Sequence, residues 1–537
     1  MTTADVSAKA GWREWLGLLV LCLPTMLTTV DISAVFLSLP HISADLGSGA
    51  TEQLWIVDIY GFLIAGFLVT MGTLGDKIGR RKVLMVGAVV FIIASILAAY
   101  STSTGMLIVS RALLGIAGAT VAPTVLALLQ SMFKDPKQMA TAMAAWGTAI
   151  MLGVILGPVI GGLLLGAFWW GSIFLMAVPV MLLLLIAGPF LVPESRNPDA
   201  GKLDLFSVAL SLLAILPLIF GLKEMARGGV AAFPIIAVVV GAVSLVVFIR
   251  RQRALANPLL DLSLFSNRTV SAALIIATVL AFVMGGIDLM ASLHLQLVEG
   301  LSPVQIGVWL LIPSFGMVVV GNIGNVIAQK VKPGYVLAVG CLLAAVGMVV
   351  LTQVSPTAGV STVLIGITII YLGGSPAGMI TPYLIMSSTP PEKAGSAGSL
   401  QSTGGEFGVA LGVAVAGLMG TAVYRGAFET PAGTPADVAG PASESIAGAF
   451  ATAGQIPGEA GATVIASAKE AFSSGVSVVA AVMAALMVGI AVLAATRLKH
   501  VAPTGSAHGA EGEAEGADGA ETSTESAPES PEVPEKV

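Results

Sequence analysis

The stretch GTLGDKIGRRK, residues 72–82, organises the reading of everything around it. Gly72, Gly75 and Gly79 permit a tight turn and close backbone approach. Asp76 sits among Lys77, Arg80, Arg81 and Lys82, so the segment carries its own ion pairs. On each side the sequence turns apolar for about twenty residues, the length a helix needs to cross the hydrocarbon of a bilayer. Outward from this loop the rhythm repeats. Runs bounded by Gly, Pro and charge cover 15–39, 54–74, 83–100, 106–129, 139–164, 168–191, 203–222, 232–250, 269–294, 303–328, 334–353, 360–387, 395–424 and 473–496, and each predicts a membrane-spanning helix.

Composition agrees. Of 537 residues, 56% are apolar and 10% charged, against about 25% charged in a soluble domain. The mean hydropathy is +0.94. An ordinary globular enzyme is excluded, as are collagen and a wholly disordered chain. Cys22 and Cys341 both fall in apolar runs, which argues against a disulfide framework or a thiolate metal site. No Walker loop, HExxH or Cys/His metal spacing occurs, so the sequence predicts neither an enzyme nor a cofactor, and the energy for any transport must come from a gradient. The first run is too long for a cleaved signal peptide, carries Asp31, and is followed by thirteen more.

Lysine and arginine set the expected orientation. With the N-terminus cytoplasmic, the outer segments hold Lys223, Arg227, Arg425 and Lys469, and nearly all the other cations fall on the inner side. Both termini are then expected inside. Residues 425–472, rich in Ala, Gly, Ser and Thr, read as a mobile outer loop, or with 459–472 as a short hairpin on the outer face. The tail 501–537 holds nine acids and one lysine without apolar periodicity and is expected to be disordered.

Further motifs sharpen the reading. RALLGIAGA, 111–119, places Arg111 inside the fourth run, where an unpaired charge costs about 3 kcal/mol or more. GVILGPVIGG, 153–162, in the fifth, presents Gly153, Gly157 and Gly161 as a small-residue packing face, with Gly162 and a helix-kinking Pro158 beside it. Together with the 72–82 loop, these resemble the signature loop, the buried arginine and the antiporter motif of the major facilitator superfamily. VDISAVFLSLP, 30–40, and LWIVDIYGFL, 54–63, resemble its fourteen-helix drug:proton antiporters, and the resemblance covers nearly the whole chain.

That resemblance implies an all-α polytopic fold of two six-helix bundles, 1–200 and 256–500, with two inserted linker helices in 201–255. It implies alternating access in a bacterial cytoplasmic membrane, usually as a monomer, with protons, lipophilic organic cations and the bilayer as partners and no role for nucleic acid. The group exports quaternary ammonium compounds and other lipophilic cations. This chain also departs from the pattern. The second-half copy of the loop, GNIGNVIAQKVKPG at 321–334, has lost its acid; the tenth run has no acid; and Asp288 looks like an addition of its own.

Four acids fall at membrane depth: Asp31, Asp58, Asp288 and Glu406. Each is costly there unless protonated, paired or hydrated. An acid held away from water can load and release a proton near neutral pH, and an organic cation competing for the same carboxylate would couple the two flows. Asp31 is expected to be the principal proton site, gated by Arg111, with a purely structural ion pair between the two as the alternative. Asp288 is expected to contact a substrate cation, with proton carriage as the second reading. Glu406 has functional and structural readings in balance, since Gly404, Gly405 and Gly408 could bury it. Asp58 reads either as a functional acid or as a hydrated interfacial one. His294, one and a half turns after Asp288, reads as a hydrogen-bonded group near the rim, with a proton relay as the alternative. Gly72, Asp76, Gly79, Arg80 and Arg81 are expected to form a gating loop. Rival readings are a dedicated natural-product exporter, a nutrient importer, and a lipid translocase or sensor of the same fold.

Overall fold

Lipid offers a backbone N–H or C=O no partner outside its own chain, so an apolar run at membrane depth becomes helix. The computed structural model describes residues 9–48, 50–196, 204–228, 231–255, 258, 260–357, 359–431, 434–453 and 459–504. Among them lie α1 (Trp12–Leu46), α2 (Ala50–Ile78), α3 (Arg80–Ala99), α4 (Thr104–Gly118), α5 (Val121–Met132), α6 (Pro136–Ala167), α7 (Ser172–Leu175), α8 (Ala177–Leu191), α9 (Leu205–Gly228) and α10 (Ala232–Ala254). They continue with α11 (Arg268–Leu293), α12 (Pro303–Ala328), α13 (Pro333–Leu351), α14 (Gly359–Ser387), α15 (Ala394–Ala427), α16 (Ala436–Glu444), α17 (Ile446–Ala453) and α18 (Glu459–Arg497). The described helices give 14 segments long and apolar enough to cross a membrane. They match the fourteen runs of the sequence in order and place.

Two spans are broken, with a local cause in each. The fourth consists of α4 and α5, offset at Ala119–Thr120, because Pro123 has no N–H to return to the carbonyl of Ala119. In the sixth, α7 and α8 divide at Met176, and Pro179 likewise leaves Leu175 without its donor. Helix starts are written in the sequence. Asp135 accepts from the Gln138 N–H ahead of Pro136, and Ser302 with Gln305 forms a capping box ahead of Pro303.

The expected mobile outer loop is corrected. Residues 436–444 and 446–453 are helical, and Val438, Ala442, Ile446, Ala449 and Ala453 are buried in the main core. The Tyr424 hydroxyl donates to the Ala442 carbonyl at 2.6 Å. Nor is 459–472 a hairpin: it is the first third of α18, continuous with the last span. Its alanines are strong helix formers that add less hydropathy than Leu or Ile, and its Glu and Lys favour helix while interrupting the apolar run, so the run understates the helix. The tail from 505 lies outside the described residues. Just before it, the Thr504 N–H donates to the Ala328 carbonyl at 2.9 Å.

Helices α1–α8 pack among themselves, as do α11–α15 and α18, while α9 and α10 form a hairpin lying beside α2 and α15. Trp55 of α2 stacks on Phe220 of α9, with ring centroids 5.9 Å apart. The bundles meet through α2, α5 and α6 on one side and α12, α14 and α15 on the other. We call the end that carries the 72–82 segment and the starts of α1 and α6 the basic end.

Candidate functional site

Arg111 is the most enclosed charge among the described residues, 1% exposed, and it ties three helices together. Its guanidinium pairs with Asp31 of α1, itself 3% exposed, and donates from Nε to the Ile56 carbonyl of α2 at 3.0 Å. The same cation lies 4.4 Å above the ring centre of Tyr60. Two glycines let this happen. Gly115 and Gly118, one and two turns after Arg111, have no side chain to hold α4 off; a Cβ on Gly115 would come within 2.6 Å of the Tyr60 carbonyl. The RALLGIAGA run is therefore one device, a cation and the flat face that lets α2 close over it.

The antiporter-like run supports the same place from behind. A Cβ at Gly153 would meet the Met26 carbonyl at 2.6 Å, and one at Gly161 would meet Ala34 at 3.1 Å. Gly157 is buried, Gly162 makes only ordinary contact with Leu37, and α6 runs unbroken past Pro158, whose side chain lies outside the described part. The small face of α6 thus seats α1 from one turn before Asp31 to one turn after it.

The remaining acids fall differently. Asp58 is buried on α2, two residues from both Ile56 and Tyr60, so it is not the hydrated interfacial acid that was one of its two readings. Asp288 is exposed at mid-molecule and accepts from the Tyr371 hydroxyl of α14 at 3.0 Å. Glu406 is exposed too. The glycines around it do not hide it: Gly404, Gly408 and Gly412 pack on Thr278 and Phe282 of α11, and Glu406, about 200° around the helix from Gly404 and Gly408, faces away from them. Tyr60 lies within electrostatic reach of Asp31, Arg111 and Glu406, so the acid of one bundle and the ion pair of the other address a common region. The structure thus brings Asp31, Arg111 and Tyr60 together, with Glu406 on the facing bundle within electrostatic reach of Tyr60 and Asp288 held by Tyr371 on a neighbouring pair of helices. Nothing local in the sequence singles out Tyr60 or Tyr371; what marks them is proximity to a charge that lies far away in the chain.

A cavity of about 410 Å³ lies between α9, α10, α11 and α15, lined by apolar side chains including Ile215, Leu245, Ile275 and Phe407. Among the described residues no group of His, Cys, Asp and Glu could hold a metal ion.

At the basic end the 72–82 segment locks the bundles together. Gly79 adopts φ +118°, a conformation glycine tolerates, and a Cβ there would strike Glu194. Asp76 pairs with Arg80 at 2.9 Å and accepts the N–H groups of Gly395 and Ser396, the first turn of α15. Arg80 donates to the Pro391 carbonyl at 2.7 Å and to the Ser195 hydroxyl at 3.2 Å. Arg81 reaches the Pro189 and Val192 carbonyls at 3.1 and 3.0 Å. Gly72 lies against Ser399, whose hydroxyl donates to the Leu68 carbonyl at 3.0 Å. Sequence reasoning missed Gln130, which donates to the carbonyls of Met386 and Thr389 at 2.6 and 2.7 Å. The acid-free second copy still crosses between bundles. Asn325, the counterpart of Asp76, donates to the Ala140 carbonyl at 3.3 Å, and Asn322 donates to Thr148 at 2.9 Å.

Comparison with known proteins agrees with this architecture. The family model of the Major Facilitator Superfamily matches residues 21–413. The multidrug efflux pump LfrA of Mycolicibacterium smegmatis is 37% identical over 86% of this chain and 92% of its own length. The methyl viologen resistance protein SmvA of Salmonella typhimurium is 31% identical over 86% and 93%. The tetracenomycin C resistance and export protein of Streptomyces glaucescens is 30% identical over 86% and 88%. In fold, the chain is similar to the human organic anion transporter MFSD10, with a TM-score of 0.57 and 16% identity over 90% of this chain and 99% of that one. The chain, with fourteen candidate membrane spans among its described residues, belongs to the major facilitator superfamily.

Proposed function

We propose that the protein exports lipophilic organic cations, drugs and dyes among them, in exchange for protons across a bacterial cytoplasmic membrane. The basic end faces the cytoplasm by the positive-inside rule. The carrying observation is the grouping of charges at mid-molecule: a buried Asp31–Arg111 pair within electrostatic reach of Tyr60, and Glu406 on the facing bundle addressing the same tyrosine. Glu406 and Asp288 are exposed at a depth where a carboxylate is costly, which suits groups that alternate between a proton and an organic cation. Asp31, locked to Arg111, takes its proton when that pair opens. Latches at the basic end and exposed acids at mid-molecule fit a state closed to the cytoplasm and open outward. Relatives named for multidrug efflux and for methyl viologen resistance support the substrate class.

The test is proton release from weakly buffered, detergent-solubilised protein on adding a lipophilic cation such as tetraphenylphosphonium. Release is expected, at least halved in Glu406→Gln or Asp288→Asn protein that remains folded. Folded wild-type protein that binds the cation and releases no proton would overturn the exchange reading. The export proteins for single natural products among the relatives favour a second reading, a dedicated exporter, which one tight ligand and no binding of unrelated cations would support.

A further inference from the structure

At the end of α11 remote from the basic loops, the helix loosens into one π turn, His294–Val298. Such turns are rare and concentrate at functional positions. This one places an acid beneath a histidine: the Glu299 N–H donates to the His294 carbonyl at 3.1 Å, and the two side chains come to 3.8 Å, Nε2 to Oε1. His294 is fully enclosed, yet neither ring nitrogen has a hydrogen-bond partner among the described residues, nor has the buried Glu299 Oε1. The reading of His294 as a hydrogen-bonded rim group is corrected by this geometry. A neutral imidazole needs a donor site and an acceptor site satisfied, and here it has neither. Three orphaned polar atoms in one enclosed spot need a physical reason.

The surroundings are otherwise built. Phe472 of α18 stacks on the imidazole, with centroids 6.4 Å apart and planes 22° apart. Lys469 of α18 donates to the Val298 carbonyl at 2.6 Å, closing the turn, and acts electrostatically on both His294 and Glu299. Burial raises the Glu299 carboxyl above its usual range, against the pull of Lys469. No other charged group faces the pair from α11, α12 or α18 among the described residues: α12 carries none, Glu470 is exposed, and Asp288 is held by Tyr371. The Glu299 side chain is 12% exposed, which gives the pair its route to solvent.

We infer that His294 and Glu299 form a proton-binding site at the outer end of the molecule, one proton being shared between imidazole and carboxylate, and that its occupancy holds the π turn against α18. The proton comes from solvent past Glu299 and binds at Nε2, giving an imidazolium and a carboxylate whose attraction closes the 3.8 Å gap. Since the pair is already juxtaposed in this conformation, proton binding stabilises it over any conformation that separates them. No step of the exchange reading uses the pair, so the two stand or fall separately.

The experiment is a titration of the His294 ring by nitrogen-15 NMR of the full chain in lipid nanodiscs, with His41, His500 and His508 replaced by glutamine. A single titration is expected, and Glu299→Gln should move its midpoint down by half a unit or more, a threefold loss of proton affinity. A midpoint that ignores Glu299→Gln, or a ring that does not titrate between pH 4 and 9, would overturn the site. Spin labels on the outer ends of α11 and α18 read its consequence. Acid should narrow their distance distribution in the wild type and leave His294→Gln unchanged; equal narrowing in that variant would overturn the role assigned to the pair.

Discussion

Arg111 shows how much one side chain can settle inside a membrane. It is satisfied by a carboxylate, a carbonyl and a ring face from α1 and α2, so removing any partner strands the rest. Breaking a buried pair by deleting one member costs about 3–5 kcal/mol, because the other charge stays behind. Asp31→Asn should therefore lower thermal stability strongly in detergent, and Arg111→Leu should do the same. The double variant should be distinctly more stable than the sum of the single losses predicts, which a double-mutant cycle on melting curves would measure. Additive losses would mean that the pair makes no net contribution. The chemistry of this residue was legible in the sequence, since an arginine in an apolar run must find an acid or water, and Asp31 was the acid named. Tyr60 was not singled out, because a tyrosine in a membrane helix carries no signal of its own until the fold sets a cation on its face.

Among the elements, the hairpin of α9 and α10 has a fastening that titrates. Asp204, just before α9, accepts from the Ser207 hydroxyl and from Arg251 at both Nε and Nη2, and these bonds hold its carboxyl down to about 2 from the usual 3.8. A group lowered in this way stabilises the fold above 3.8 and loses that effect only as pH falls through about 2. Amide hydrogen exchange at the start of α9 should therefore be pH-independent between 5 and 8 after correction for intrinsic rates, and should quicken in Asp204→Ala at every pH. The helices themselves were readable because the bilayer imposes a length on each apolar run. Their interruptions were less so: Pro123 and Pro179 each lie three residues after a break, a distance at which the run still looks continuous. The extension of α18 and the two short helices before it were hidden by Ala, Ser and Gly, which read equally as loop. Packing of Val438, Ala442 and Ile446 decided for helix, and packing is not a local property.

In the molecule as a whole, the two bundles are joined at the basic end by polar bonds. Asp76 lies against the first turn of α15 and accepts the N–H groups of Gly395 and Ser396, where the helix dipole also favours a negative charge. Gln130, Asn322 and Asn325 add uncharged bonds across the same gap. The 72–82 segment stood out in the sequence, but its partners are mostly backbone groups, the carbonyls of Pro391, Pro189 and Val192 and the amides of Gly395 and Ser396, as are Gln130's, the carbonyls of Met386 and Thr389, and no side-chain pattern announces those. Alternating access requires that these bonds be few and weak enough to break in each cycle. A two-state equilibrium moves about tenfold for each 1.4 kcal/mol, so losing one such bond should shift it measurably without unfolding either bundle. In Gln130→Leu and in Asp76→Asn, spin labels at the basic ends of α5 and α14 should show a new population at longer distance, larger in the double variant than in either single one. If the distances stay unimodal and unchanged in the double variant, the closed end is held by apolar packing of α2 and α5 on α15, and the polar bonds only decorate it.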